Sequence, residues 1–249
     1  MTVNVYWTRS NPGWEDLQKL GFPTGAYMSP MRIEEPAPLT KHLDYKNFFG
    51  PLVSKCPAVI DDLKNTFVIK SPVDLTLYIE NNSFKIDHQE LDFAQSFIGE
   101  PQGKFGIHQL SFCYNFFSEK SLTITQLPAF YDSNGFTNNT FSISGSFDIG
   151  HWYRPSGKPA FIIKPDTKKI TIKQGDALLY IKFNIADKIK LIEFDDSEFL
   201  SMKERSPEWV CGTLKRHTSS IISLSKCYEI FDQYKMRRRI MKTIKKNLI

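Results

Sequence analysis

Asp87-His88-Gln89-Glu90-Leu91-Asp92 is the densest run of metal-ligating side chains in this chain. In an extended backbone alternate side chains share a face, so His88, Glu90 and Asp92 project together. Two of them with a distant His108 or His151 would make a two-histidine, one-carboxylate set. That set holds non-haem Fe2+ and leaves positions for oxygen and substrate. It predicts a cupin-like, iron-dependent oxygenase in which Arg154 holds a substrate carboxylate. The plainer reading is a solvated loop, because the run follows a hairpin and Asp92 precedes Phe93, Phe97 and Ile98, spaced as a short helical turn.

His151-Trp152-Tyr153-Arg154-Pro155 concentrates recognition chemistry. Trp152 and Arg154 can stack on flat ligands, and a guanidinium can clamp a carboxylate or phosphate. Against that, Trp152 would serve equally as a core anchor with Arg154 paired locally. The stronger interaction signal is Lys235–Lys246. There Met241 and Ile244 continue a helical apolar period, leaving Arg237, Arg238, Arg239, Lys242, Lys245 and Lys246 as the complementary face. Such a helix can pack as a terminal element, dock into an acidic groove on a partner protein, or touch phosphates. No aromatic side chains are interleaved for base stacking, which weighs against nucleic acid.

Other chemistries find no support. Gly99, Gly103 and Gly106 lack the Lys-Ser/Thr of a phosphate-binding loop. Phe141-Ser-Ile-Ser-Gly145 lacks the first glycine of a nucleophile elbow. Glu193, Asp195, Asp196 and Glu198 lack calcium-loop spacing and suit the start of a helix. Cys56, Cys113, Cys211 and Cys227 are scattered with no Cys-x-x-Cys pair, as for buried thiols in a reducing compartment.

The elements that must position these residues are mostly strands. Phe141, Ile143, Phe147 and Ile149 alternate with Ser142, Ser144, Ser146 and Asp148. Ile170 and Ile172 alternate with Lys169, Thr171 and Lys173, and after a Gly175-Asp176 turn Leu179, Ile181 and Phe183 continue the rhythm. Period-two alternation predicts strands with one dry and one wetter face. Thr66–Lys70, Asp74–Glu80, Phe84–Ile86, Ile107–Phe117, Leu122–Ile124 and Lys188–Phe194 extend it into a meander of hairpins. Asp132–Gly135 and Asn138-Asn139 read as a polar loop, and Pro57–Lys64 as a short helix with proline at its first position.

Hydrophobic residues make up 41% of the 249, ordinary for a globular chain, and 20 Phe with 10 Tyr suit sheet interiors. The expected fold is a mainly antiparallel β sandwich or jelly roll with a C-terminal α-helix. A Pro-rich arm (1–58) wraps the core, a β domain spans 59–212, and a basic amphipathic helix fills 213–249. The net charge of +5 conceals an asymmetry, because 213–249 carries ten Lys/Arg against Glu229 and Asp232, leaving a mildly acidic remainder. No run approaches the roughly 18 apolar residues of a membrane span. Met1–Trp7 shows no basic-then-apolar leader, so a soluble cytoplasmic protein is expected.

Cys56-Pro-Ala-Val with Lys64–Asp74, Phe147–Pro155 and Gln174–Phe183 resemble segments of an uncharacterised family encoded by tailed bacteriophages, especially marine and cyanobacterial myoviruses, and by some bacteria. The resemblance spans most of 50–195 and brings no activity. It implies a viral gene product in a bacterial host cytoplasm or in the virion. The Gly175-Asp176 turn is similar to one in cupins, but the cupin His-x-His and the His-x-Asp pair of oxoglutarate oxygenases are missing. The leading expectation is a non-enzymatic binding or structural protein that engages a protein partner through its sheet surface or basic helix. A metal-dependent oxygenase and a nucleic-acid-binding accessory protein are the alternatives.

Overall fold

A computed structural model of the protein describes residues 2–8, 34–80, 83–86, 106–110, 114–151, 160–195, 229 and 235–249. The 87–92 run, Trp152 and Arg154 lie outside these residues.

The chain is mainly β, and among the described residues the sheets are antiparallel with one exception. β1 (Thr2–Thr8) lies between β14 (Lys188–Glu193) and β7 (Asn115–Ser118). It runs parallel to β14, with Thr2 opposite Lys188 and Trp7 opposite Glu193. Against β7 it is antiparallel, with Val5 opposite Ser118. The expected succession of hairpins therefore fails here, since the first described strand seats beside the last described one. A five-stranded antiparallel sheet orders β10 (Gly145–Asp148), β8 (Thr123–Pro128), β13 (Ala177–Phe183), β3 (Thr66–Lys70) and β2 (Ala37–Pro38). Two smaller sheets are formed by β6 (His108–Gln109), β11 (Ala160–Ile163) and β9 (Thr140–Ile143), and by β12 (Lys169–Ile172), β4 (Leu75–Glu80) and β5 (Ser83–Ile86).

The β1 sheet and the five-stranded sheet face each other across the largest core. Val5, Trp7 and Phe116 meet Phe67, Ile69, Ile124, Leu179, Ile181 and Phe183 there. Neighbouring residues on the same strands point the other way into further dry layers. Tyr6 and Phe117 meet α5 (Met236–Lys246). Val68, Ala177 and Tyr180 meet α1 (Leu39–His42), α2 (Tyr45–Val53) and α3 (Pro57–Leu63). Helix, sheet, sheet and helices are thus stacked in four layers. β3 and β13 have no wet face, because helices cover what a two-layer sandwich would leave to solvent. β13, expected to be dry on one side, is buried from Ala177 to Ile181.

Three further expectations are corrected. Ile107–Phe117 is not one strand, since His108–Gln109 and Asn115–Ser118 belong to different sheets. The polar stretch after Asp132 contains α4 (Gly135–Asn139), started by a capping box in which the Asn134 side chain accepts from the amides of Phe136 and Thr137. Phe141 and Ile143 point outward instead of into the core, while Thr140 and Phe161 are buried. Alternation identifies which residues share a face and leaves open which face is dry.

α4 seats against β12 so closely that a Cβ on Gly135 would lie 1.8 Å from the Thr171 carbonyl oxygen. Gly135→Ala must push the two elements apart. The expected loss is about 1–3 kcal/mol, the usual cost of overpacking, read as a lower urea midpoint.

Candidate functional site

α5 forms because Met236, Ile240, Met241 and Ile244 fall at positions i, i+4, i+5 and i+8 and make one stripe. All four are buried against Tyr6, Phe117 and Phe194, with Ile192 at the border. Each such residue contributes about 1.5–3 kcal/mol of burial. The helix starts abruptly, since Lys235 before it has a left-handed backbone (φ 51°). Its far end is tied back to β14. The Asp195 amide donates to the Asn247 carbonyl at 2.8 Å, and the Ile249 amide to that of Glu193 at 3.2 Å.

The opposite face is cationic. Arg237 is half-buried, and its Nε donates to the Gly150 carbonyl at 2.5 Å. Lys245 pairs with Glu119 at 3.0 Å, which holds its pKa above the usual lysine range. Arg238, Arg239, Lys242 and Lys246 are exposed, and none makes an ion pair among the described residues. A shallow concavity along this face is lined by Lys235, Arg238, Arg239, Lys242 and Glu119. Lys245 and Lys246 sit at the helix C-terminus, where the dipole favours cations; three arginines in the first turn, with no acid beside them, oppose it. Arg237 is spent on the Gly150 carbonyl, and helix stability does not account for Arg238 and Arg239.

Beneath the start of α5 lies the turn that follows β10. The Asp148 carboxylate accepts from Ser121 Oγ, the amides of Leu122 and Gly150, and His151 Nδ1 at 3.0 Å. Burial opposes its charge, but these donors outweigh burial and hold its pKa below the usual range. His151 is therefore oriented by a carboxylate. Trp152 and Arg154 follow it in sequence and lie outside the described residues.

Of the expected iron ligands, His88 and Glu90 lie outside the described residues. His108 is buried and stacks on Phe161 at 5.7 Å, and burial lowers its pKa. His151 belongs to the Asp148 turn. Among the described residues no three His, Cys, Asp or Glu side chains gather as a metal site.

One polar cluster had no sequence signal. Asp132 Oδ1 meets His42 Nε2 at 2.8 Å, and Oδ2 accepts from the Tyr180 hydroxyl at 2.5 Å. These residues stand 90 and 48 positions apart, so no spacing rule joins them. Burial opposes the Asp132 charge, yet the hydrogen bonds from His42 and Tyr180 and the charge on Lys70 overcome it, and its pKa falls. Burial and the Asp132 carboxylate raise that of the Tyr180 phenol. Phe130 and Tyr131 pack on the Tyr180 ring, with Phe48 and Phe49 edge-on to Tyr131. The cluster locks α1 and the Ala129–Asp132 turn onto β13.

The comparisons supply no relative: no family model, no curated protein and no solved structure matches this chain. Among the described residues no helix is long and apolar enough to cross a membrane.

Asp132 and Asp148 both titrate lower folded than unfolded. Their stabilisation is complete above the unfolded carboxyl pKa of about 4 and is lost as pH falls through the folded values. Asp132→Asn should cost about 1–3 kcal/mol at neutral pH, and its stability should decline less than wild type between neutral and acid pH. Urea titrations across pH check both.

Proposed function

We propose that this is a non-enzymatic binding protein that docks an acidic surface of another protein against the cationic face of α5. The observation that carries the reading is that the helix spends its whole apolar stripe on its own β1 sheet and still presents Arg238, Arg239, Lys242 and Lys246 without acidic partners among the described residues. A solubilising terminal helix would need no cations in its first turn, where the dipole resists them. A helix that offered an apolar stripe to a groove would not have that stripe buried. What remains to offer is a rigid array of positive charge, which steers and orients an oppositely charged surface. Taken with the resemblance of 50–195 to tailed-phage proteins, the reading is of a phage gene product acting on a host or phage protein in the bacterial cytoplasm or the virion.

The same array would contact phosphates, and salt dependence separates the two. Nucleic-acid binding weakens linearly in log–log form with a slope near −0.9 per phosphate contacted in duplex DNA. The test is affinity capture from nuclease-treated bacterial lysate on wild type and on an R238E/R239E/K242E variant, followed by mass spectrometry. Wild type should retain an acidic protein that the variant loses, with unchanged circular dichroism. Identical captured sets, or binding only of added duplex DNA with a steep salt slope, would overturn the reading.

A further inference from the structure

The two helical layers differ on their outer faces. α5 turns Arg238, Arg239, Lys242 and Lys246 outward, whereas α2 and α3 are apolar on both sides. Phe49, Val59 and Leu63 pack inward with Val68 and Tyr180. Phe48, Leu52, Val53 and Ile60 are exposed. A surface helix ordinarily gives its outer face to polar residues, and one that is apolar all round belongs in a buried setting. Clustered exposed apolar side chains mark a surface that meets something else.

The patch projects from the layer. Gly50 (φ 71°, ψ 176°) interrupts α2, and Pro51 opens a second turn. On that turn Leu52 is 86% exposed, the most of any large apolar side chain among the described residues. Phe48 continues to Phe130 through the Tyr131 ring, whose centroid lies 5.8 Å from one and 4.4 Å from the other. Phe130 is itself 53% exposed. The charge on the segment has one sign, because Tyr45–Ile60 contains Lys46 and Lys55 and no acid. Both lysines are exposed, and neither makes an ion pair among the described residues. The acids that flank the segment are Asp44, which accepts from Asn47, then Asp61, and Asp62, which pairs with Lys182.

We infer that the α2–α3 tip inserts at the surface of an anionic lipid bilayer. Shape and charge together select that occupant. A bilayer interface closes around any convex apolar turn, whereas a protein groove must already match it. Lysines beside such a turn rest at headgroup level, where anionic lipid attracts them. Insertion of this kind is shallow and needs no span. α1–α3 and α5 cover opposite outer faces of the two packed sheets. A bilayer on one side therefore leaves the cationic face on the other open to a protein partner.

Flotation of the full chain with unilamellar vesicles tests this. Wild type should float with phosphatidylethanolamine/phosphatidylglycerol vesicles, and less with phosphatidylcholine alone. L52S/V53S removes two side chains from the lipid and should weaken partitioning about tenfold or more. Both positions are exposed, so its thermal midpoint should hold. K46E/K55E should lose the preference for anionic vesicles, and brominated acyl chains should quench the added indole of L52W. R238E/R239E/K242E should float as wild type does, so that failure here and failure of docking at α5 are read separately. The inference is overturned by a wild type that does not float, by undiminished flotation of L52S/V53S, or by loss in the α5 variant alone. An anionic preference kept by K46E/K55E, an unquenched L52W, or a dimer in solution that L52S/V53S dissociates would overturn it equally.

Discussion

The seat of α5 on the outer face of β1 and β7 is the contact on which the rest of the structure depends. Tyr6 and Phe117 point away from the main core and would be exposed without a cover. Met236, Ile240, Met241 and Ile244 supply that cover, and in doing so they turn Arg238, Arg239, Lys242, Lys245 and Lys246 outward. One burial event completes the sheet and fixes the geometry of the charged face. It also anchors the chain end, because Phe194 belongs to the same cluster and bridges to Leu248.

The same logic repeats on the far side. The five-stranded sheet buries one face on the β1 sheet and the other under α1–α3. A strand dry on both sides cannot place a polar group casually, since an unpaired one costs free energy comparable to the hydrogen bond it lacks. Tyr180, midway along β13, meets that condition by donating to Asp132, which His42 holds from the other side. The polar cluster is thus the answer to burying a tyrosine between layers, and it ties the first helix to the middle of the sheet.

Much of this was legible in the residue order. Alternation located β3, β4, β8, β12, β13 and β14 because side-chain period is a local property of the backbone. The spacing of Met241 and Ile244 pointed to a helix near the C-terminal end for the same reason, although Leu248, the next position of that period, lies beyond α5. Other features are not local. The parallel pairing of Thr2 with Lys188 and the meeting of His42 with Tyr180 depend on which surfaces bury best, and nothing near either residue encodes it. Phe141 and Ile143 read as core because apolar alternation is silent about which side of a strand is covered. Asn134–Asn139 reads as a loop because turn-forming residues also cap helices; the capping box distinguishes the two uses only once Thr137 is seen bonded to Asn134.

Hydrogen–deuterium exchange across Ile240–Ile244 measures the seating of α5 most directly. An isolated helix this short is marginal in water, so protection there can come only from packing on β1. The structure requires these amides to exchange as slowly as those of Val5–Trp7. Exchange at the rate of an unfolded peptide, with β1 still protected, would contradict it and leave the cationic face without a fixed geometry.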